Sequence, residues 1–129
     1  NLHGQPLPLT AQVRSLHDGK LRMLAMFKGM PLHLGKMARL VVDGIDIIVA
    51  SKRSQTFDIG PFQALSIDVT AYEIVALKSS NHFRAGFTDI AAEIITADTP
   101  GLTTHKVEIF PRQFATGPLW PIDAAASYP

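Results

Sequence analysis

Alternation of apolar and polar residues begins near the start of the chain, at residues 9–16. In an extended chain the apolar residues Leu9, Ala11 and Val13 would point to one side. The polar residues between and after them, Thr10, Gln12 and Arg14, would point to the other side. A period of two indicates a β-strand with one face on a core. The dipeptide Asp18-Gly19 then precedes a second apolar segment, 21–27, and predicts a hairpin because glycine adopts positive φ without steric cost.

A second hairpin is predicted where residues 37–42 and 45–50 flank Asp43-Gly44. The second arm is almost continuously β-branched and is interrupted only by Asp46 and the terminal Ala50. Continuous apolar runs are typical of strands with both faces buried, so this strand is expected to be central in its sheet. A short strand is also expected at residues 32–34.

The second half of the sequence predicts helices as well as strands. Pro61 favours a short helix over residues 61–65, because proline is well accommodated in the first turn of a helix. Residues 73–77 are expected to form a strand. A helix from Ser79 or Ser80 to Ile90 or Ala91 would place apolar residues on one face. With a strand at 92–97, this segment predicts a parallel strand–helix–strand unit.

These elements together predict an α+β fold with a mixed β-sheet, two β-hairpins and one strand–helix–strand unit. Residues 1–101 are expected to form the domain. From residue 102 to residue 129 the chain contains four prolines and little periodicity, which predicts an extended tail packed on the domain or on a partner.

Composition and charge narrow the possible classes of protein. The 129 residues include 12 Lys and Arg and 11 Asp and Glu, with a net charge of +1 and no concentrated basic segment, so a nucleic-acid partner is not expected. No apolar run approaches the length of a membrane span. The chain has no cysteine, which fits a reducing compartment, and we expect a cytoplasmic protein. Because the chain begins at Asn1, we also expect preceding residues to have been cleaved, left out or disordered.

Common catalytic motifs are absent from the sequence. The five histidines are too far apart in sequence for a His-x-His or His-Glu-x-x-His metal motif. Glycine-rich phosphate-binding loops and the Gly-x-Ser-x-Gly motif are also absent. No catalytic residue and no metal ligand are therefore assigned to this chain.

The remaining candidate site is residues 78–84, called here the 78–84 turn, where a strand is expected to end and a helix to begin. Its serines and basic residues could bind a carboxylate or phosphate at the helix N-terminus: Lys78, Ser79, Ser80, His82 and Arg84. Alternatively, the serines only cap the helix and the basic residues are solvated. In the polar segment 51–58, Arg53, Gln55 and Asp58 could line a cleft, although an ordinary exposed loop is the simpler interpretation.

Three strings of the sequence resemble the C-terminal domain of the MlrC family, the microcystin-degradation-type proteins grouped with zinc metallopeptidases. They are Ala38-Arg39-Leu40-Val41-Val42-Asp43-Gly44-Ile45, Ser54-Gln55-Thr56-Phe57-Asp58 and Leu77-Lys78-Ser79-Ser80-Asn81-His82-Phe83-Arg84-Ala85-Gly86-Phe87. Asp98-Thr99-Pro100-Gly101-Leu102 and Trp120-Pro121 extend the resemblance over nearly the whole chain.

The resemblance implies that this chain is one domain of a two-domain hydrolase. Zinc would be the cofactor of the full-length protein, bound by a larger N-terminal domain that has no counterpart here. That domain would be the main partner, and a homodimer is a further option. Within such a protein, the 78–84 turn is expected to bind substrate through Lys78, Ser79, Ser80, His82 and Arg84.

A non-catalytic role is the alternative. The last part of the chain contains several apolar residues in an otherwise irregular segment: Phe110, Phe114, Leu119 and Trp120. Exposed apolar segments often mark interfaces. The chain could therefore stabilise a partner domain or drive dimerisation.

Overall fold

The computed structural model describes residues 5–99, 106, 109–114, 116–120 and 122–127. The chain divides into two compact units, one formed by Leu7–Thr96 and the other by Asn1–Pro6 with Ala97–Pro129. The boundary expected at residue 101 stays a prediction. The predicted tail, 102–129, lies partly outside the described residues.

The described part of Leu7–Thr96 forms five strands and three short helical segments. In chain order these are β1 (Gln12–His17), β2 (Lys20–Arg22), β3 (Pro31–His33), β4 (Met37–Val42), β5 (Ile45–Ala50), α1 (Gly60–Ala64), a 3₁₀ helix (Val69–Ala71) and α2 (Arg84–Phe87). Two small antiparallel sheets with few helices place the fold between the α+β and mainly-β classes. Among the described residues, no helix has the length and apolarity needed to cross a bilayer.

Strands β1, β4 and β5 form the larger sheet in that order, and β2 pairs with β3 in the smaller one. β4 and β5 are antiparallel and their register pairs Val42 with Ile45. Asp43 and Gly44 between them have φ of 48° and 80°. Positive φ at both central residues is the geometry of a type I′ turn, whose twist matches that of the flanking strands.

The first predicted hairpin is wrong, because the chain changes sheets at Asp18-Gly19. β1 pairs with β4, whereas β2 pairs with β3. Gly19 has a φ of 70°, and its carbonyl accepts a hydrogen bond of 2.9 Å from the N–H of Leu34. The chain does not reverse direction at Asp18-Gly19, because the registers pair Leu16 with Ala38 and Leu21 with Leu32 in one antiparallel progression. The partner of each strand depends on contacts distant in sequence.

β5 was expected to be central, and within the described residues it lies at an edge of its sheet. The strand is almost wholly apolar because both of its faces carry apolar side chains, and not because it has a neighbouring strand on each side. Ile48 packs against the core, while Val49 on the other face is exposed.

The predicted strand–helix–strand unit is also wrong for the described residues. Residues 73–77 and 92–97 form no strand, and the helix between them is reduced to α2. Val75 and Leu77 still pack against the core, in a segment that belongs to neither sheet. A strand requires a free sheet edge as its hydrogen-bonding partner, and the local pattern of residues does not specify that edge.

Two adjoining hydrophobic clusters form the core of this unit. The first contains Leu34, Met37 and Leu65, and the second contains Ile67, Val69 and Phe87. Ile48 of β5 packs against both clusters. The sheet is thereby joined to α1, to the 3₁₀ helix and to α2, which follows the 78–84 turn.

Candidate functional site

The 78–84 turn leads directly into α2, which begins only at Arg84. Phe83 is the N-cap, and no side chain makes a capping hydrogen bond there. The capping interpretation of Ser79 and Ser80 is therefore wrong. A helix of four residues also has little dipole, so the predicted anion site at a helix N-terminus loses its physical basis. Any binding by the turn must rest on its side chains.

His82 is held by two residues of the 51–58 segment. Its Nδ1 lies 2.5 Å from Oε1 of Gln55, and its ring stacks on Phe57 with centroids 5.6 Å apart. Because an amide oxygen only accepts hydrogen bonds, Nδ1 is the donor, and the neutral ring then presents Nε2 as an acceptor. Two of the strings that resemble the MlrC family therefore meet at His82.

α2 is packed tightly against the same segment. A Cβ on Gly86 would lie 2.7 Å from Cα of Asp58 and 3.3 Å from the carbonyl oxygen of Phe57. Phe83 and Phe87 extend the contact as an edge-to-face pair with centroids 6.4 Å apart. The backbone that carries the turn is thus positioned by the core.

The predicted site residues differ in their exposure. Lys78, Ser80, His82 and Arg84 are exposed, and the guanidinium of Arg84 lies 5.5 Å from the ring centroid of Phe83. Ser79 is half-buried, and its hydroxyl oxygen is buried without a hydrogen-bond partner among the described residues. The turn therefore presents two cationic side chains, one imidazole and one hydroxyl beside a buried hydroxyl.

Asp58 is structural and does not line a cleft. It is 2% exposed and accepts hydrogen bonds from the N–H groups of Leu24, Ala25 and Gly60, at 2.7, 3.2 and 2.8 Å. Gln55 does reach the candidate site, through His82. Gln55 and Phe57 lie more than twenty residues before the turn, and only the resemblance of their string to the family could have associated them with it.

A second polar cluster, not predicted from the sequence, lies on the core side of the larger sheet. The carboxylate of Asp46 accepts hydrogen bonds from Nε of Arg39 at 2.5 Å and from the hydroxyl of Tyr72 at 2.5 Å. Arg39 also donates to the carbonyl of Ser66 at 3.2 Å. The interruption of an apolar strand by Asp46 was the only local signal of this cluster.

The cluster shifts the acidity of both acidic partners. The guanidinium of Arg39, and then the hydroxyl of Tyr72, lower the pKa of Asp46 below its ordinary value of 3.8. The hydrogen bond to the Asp46 carboxylate raises the pKa of Tyr72 above 10.0. Because all three side chains are at least half-buried, the cluster ties β4, β5 and residue 72 together.

We expect the Asp46→Asn substitution to reduce stability at neutral pH, and this loss should shrink under acid. Because the pKa of Asp46 is lower in the folded state, its stabilisation is complete above pH 3.8 and declines as the pH falls towards the folded-state value. Urea unfolding of wild type and variant at pH values from neutral to about 3 measures the difference. Tyr72→Phe, which keeps the Arg39 pair, should have a smaller effect. A stability difference independent of pH would contradict this prediction.

The described residues contain no group of three His, Asp or Glu side chains close enough to bind a metal ion. A shallow open depression of about 530 Å³ is lined by residues between Ile59 and Thr70 and by Ile90. None of the residues of the 78–84 turn lines it. The turn is thus an exposed surface in the described structure.

Comparison with known proteins gives three matches. The family model described as "MlrC C-terminus" matches residues 1–113. Microcystinase C of Sphingomonas sp. is 27% identical over 120 residues, which are 93% of this chain and 22% of that protein. A crystal structure from Mesorhizobium sp. BNC1, assigned to the metallopeptidases, matches 92% of this chain and 24% of its own with 28% identity and a TM-score of 0.72. The chain therefore spans about a quarter of the length of these relatives.

Proposed function

The chain belongs to the MlrC family, within its C-terminal domain, and from this premise we propose that it is the accessory domain of a zinc-dependent hydrolase of peptide or amide bonds. The resemblance identified from the sequence is confirmed. The described residues do not provide a ligand set for zinc, so the proposal places the metal in the remainder of the longer protein. No catalytic step is assigned to this chain.

In this proposal the 78–84 turn forms part of the wall of the substrate cleft. The supporting observation is the restraint of His82 by Gln55 and Phe57, at 2.5 Å between side-chain atoms and 5.6 Å between ring centroids. An exposed side chain fixed in this way loses less conformational entropy on binding a ligand. A purely solvated histidine would not need two partners from a distant segment.

The side chains of the turn suit an anionic or carbonyl group of a substrate. Lys78 and Arg84 supply positive charge, and the string from residue 78 to residue 88 contains no acidic residue. Ser80 offers an exposed hydroxyl donor, whereas the hydroxyl of Ser79 is buried. The proposed role is to bind and orient the substrate while the metal-bearing part performs hydrolysis.

We expect Lys78→Ala to raise KM for an anionic peptide or amide substrate of the full-length protein by about tenfold, as loss of one charged hydrogen bond would, and His82→Ala to raise KM less, as loss of one neutral hydrogen bond would. The value of kcat should change less, because the turn does not contact the reacting atoms in this proposal. Steady-state kinetics of the full-length protein measures both constants.

Matched controls separate binding from general effects of charge or folding. Lys28→Ala and His33→Ala remove the same side chains from exposed positions in the β2–β3 hairpin and should leave KM unchanged. If the turn variants have unchanged kinetics, the turn has no role in substrate binding. Equal losses in turn and control variants would also count against the proposal.

The alternative function is a module for stabilisation or dimerisation. Exposed apolar side chains in the described part of 97–129 favour it: Phe110, Phe114, Leu119 and Trp120. Light scattering of the chain with and without Phe114→Ser distinguishes this function, since an interface centred there should lose its dimer. A cytoplasmic location is also part of the proposal, as a cysteine-free chain suits a reducing compartment.

A further inference from the structure

The larger sheet has an apolar face that is turned away from the core, called here the outer face. Side chains alternate along each strand, and the pairing registers place alternate residues of the three strands on one side. The outer face consists only of aliphatic residues: Val13, Leu16, Ala38, Leu40, Val42, Ile45, Ile47 and Val49.

The opposite face carries the polar groups of the sheet as well as its core contacts. Met37 lies in the first hydrophobic cluster, while Ser15 donates a hydrogen bond of 2.9 Å to the carbonyl of Leu65. The Arg39–Asp46 pair lies on this side too. Ser15, Arg39 and Asp46 therefore bond to the segment that follows α1, and the aliphatic side of the sheet faces outwards.

Exposure of the outer face is substantial at four of its eight positions. Val13 is 56% exposed, Leu16 is 73%, Ile45 is 64% and Val49 is 43%. Contiguous exposed apolar patches on soluble proteins mark interaction sites. Strands that are apolar on both faces are typical of sheets covered on both sides. The composition of β5 therefore requires a cover that the described residues of Leu7–Thr96 do not provide.

We propose that the outer face docks against the part of a longer MlrC-type polypeptide that precedes this domain. The matched relatives are about four times as long as the match, and the family description places the matched region at the C-terminus. The segment that leads into β1 also carries exposed apolar side chains, Leu7 and Leu9. A preceding polypeptide would thus reach the domain beside the outer face.

This inference rests on membership of the MlrC family and not on the role of the 78–84 turn. Docking is measured by protection of the outer face, whereas the proposed function is measured by KM in turn variants. Either proposal can therefore fail while the other holds.

The absence of cysteine makes single thiols good reporters of this surface. Leu16→Cys and Val49→Cys place a thiol on the outer face, and Gln63→Cys places one on the exposed side of α1. Each is introduced into the 129-residue chain and into the full-length protein. Modification by N-ethylmaleimide is followed by mass spectrometry of the peptide that carries the new thiol.

We expect both outer-face thiols to react at least about tenfold more slowly in the full-length protein, since thiol modification requires access. Gln63→Cys should react at the same rate in both. As a second measurement, Val49→Lys should lower the melting temperature of the full-length protein and leave that of the 129-residue chain unchanged.

Three results would overturn the docking proposal. Equal rates for the outer-face thiols in both proteins would show that no preceding segment covers the face. Protection already present in the 129-residue chain would assign the cover to a second copy, if light scattering shows a dimer, or otherwise to its own residues 97–129. Protection of the Gln63→Cys thiol to the same degree would show a general loss of access and no specific interface.

Discussion

The Asp58→Ala substitution is expected to reduce the free energy of unfolding by about 3 kcal/mol or more. The carboxylate accepts three backbone hydrogen bonds at 2.7–3.2 Å and is 2% exposed. Without it, the N–H groups of Leu24, Ala25 and Gly60 lose their acceptor, and each unsatisfied buried donor costs about 1–3 kcal/mol. Urea denaturation followed by circular dichroism measures the loss.

A matched aspartate provides the control for this first prediction. Asp68 accepts a hydrogen bond from the N–H of Thr70 at 3.0 Å, but it is exposed. Asp68→Ala should therefore cost only about 1 kcal/mol, as the loss of a helix cap does. If Asp58→Ala and Asp68→Ala have equal effects, Asp58 does not act through burial and multiple hydrogen bonds.

Loss of the Asp58 carboxylate should also affect the candidate site, because Asp58 contacts segments that support the 78–84 turn. Asp58 joins the loop at Leu24 to the start of α1, and its Cα is in close contact with Gly86 of α2. Phe57, the preceding residue, stacks on His82. Loss of the carboxylate should therefore loosen the support of the 78–84 turn as well as the fold.

The Gly19→Ala substitution is expected to be the second severe change, with a loss of about 3 kcal/mol or more. A Cβ at this position would lie 1.8 Å from the carbonyl oxygen of Gly35, and the φ of 70° is unfavourable for alanine. Because the obstacle is backbone, it cannot rotate away as a side chain would. Thermal and urea unfolding of the purified variant test this expectation.

Gly44→Ala is the control that isolates the effect of crowding. Gly44 has a φ of 80°, but nothing lies within 4 Å of a Cβ built there. The substitution should cost about 1 kcal/mol, from the positive φ alone. A Gly19→Ala variant no less stable than Gly44→Ala would show that the chain near Gly35 can move aside.

Local patterns in the sequence determined several features of this protein. The Asp43-Gly44 turn between two apolar segments specified the pairing of β4 with β5, because turn geometry and strand register are set by adjacent residues. Pro61 marked the start of α1 for the same reason. The family strings identified the domain and drew attention to the 78–84 turn.

Tertiary structure alone decided which segments became partners. β1 pairs with β4, Val75 and Leu77 pack on the core outside both sheets, and α2 is four residues long. Each outcome depends on whether a sheet edge or core surface, formed by residues far away in the sequence, is available to the segment. Local propensities carry no information about that competition.

The same distinction between local sequence and tertiary contacts applies to the 78–84 turn and to the outer face of the sheet. The sequence determined that residues 78–84 carry two cations, serines and a histidine, and that β5 is almost wholly apolar. Only the tertiary structure placed Gln55 and Phe57 against His82 and left one apolar face of the sheet exposed. The physical reason is that side-chain chemistry is local, whereas restraint and burial depend on what the folded chain brings into contact.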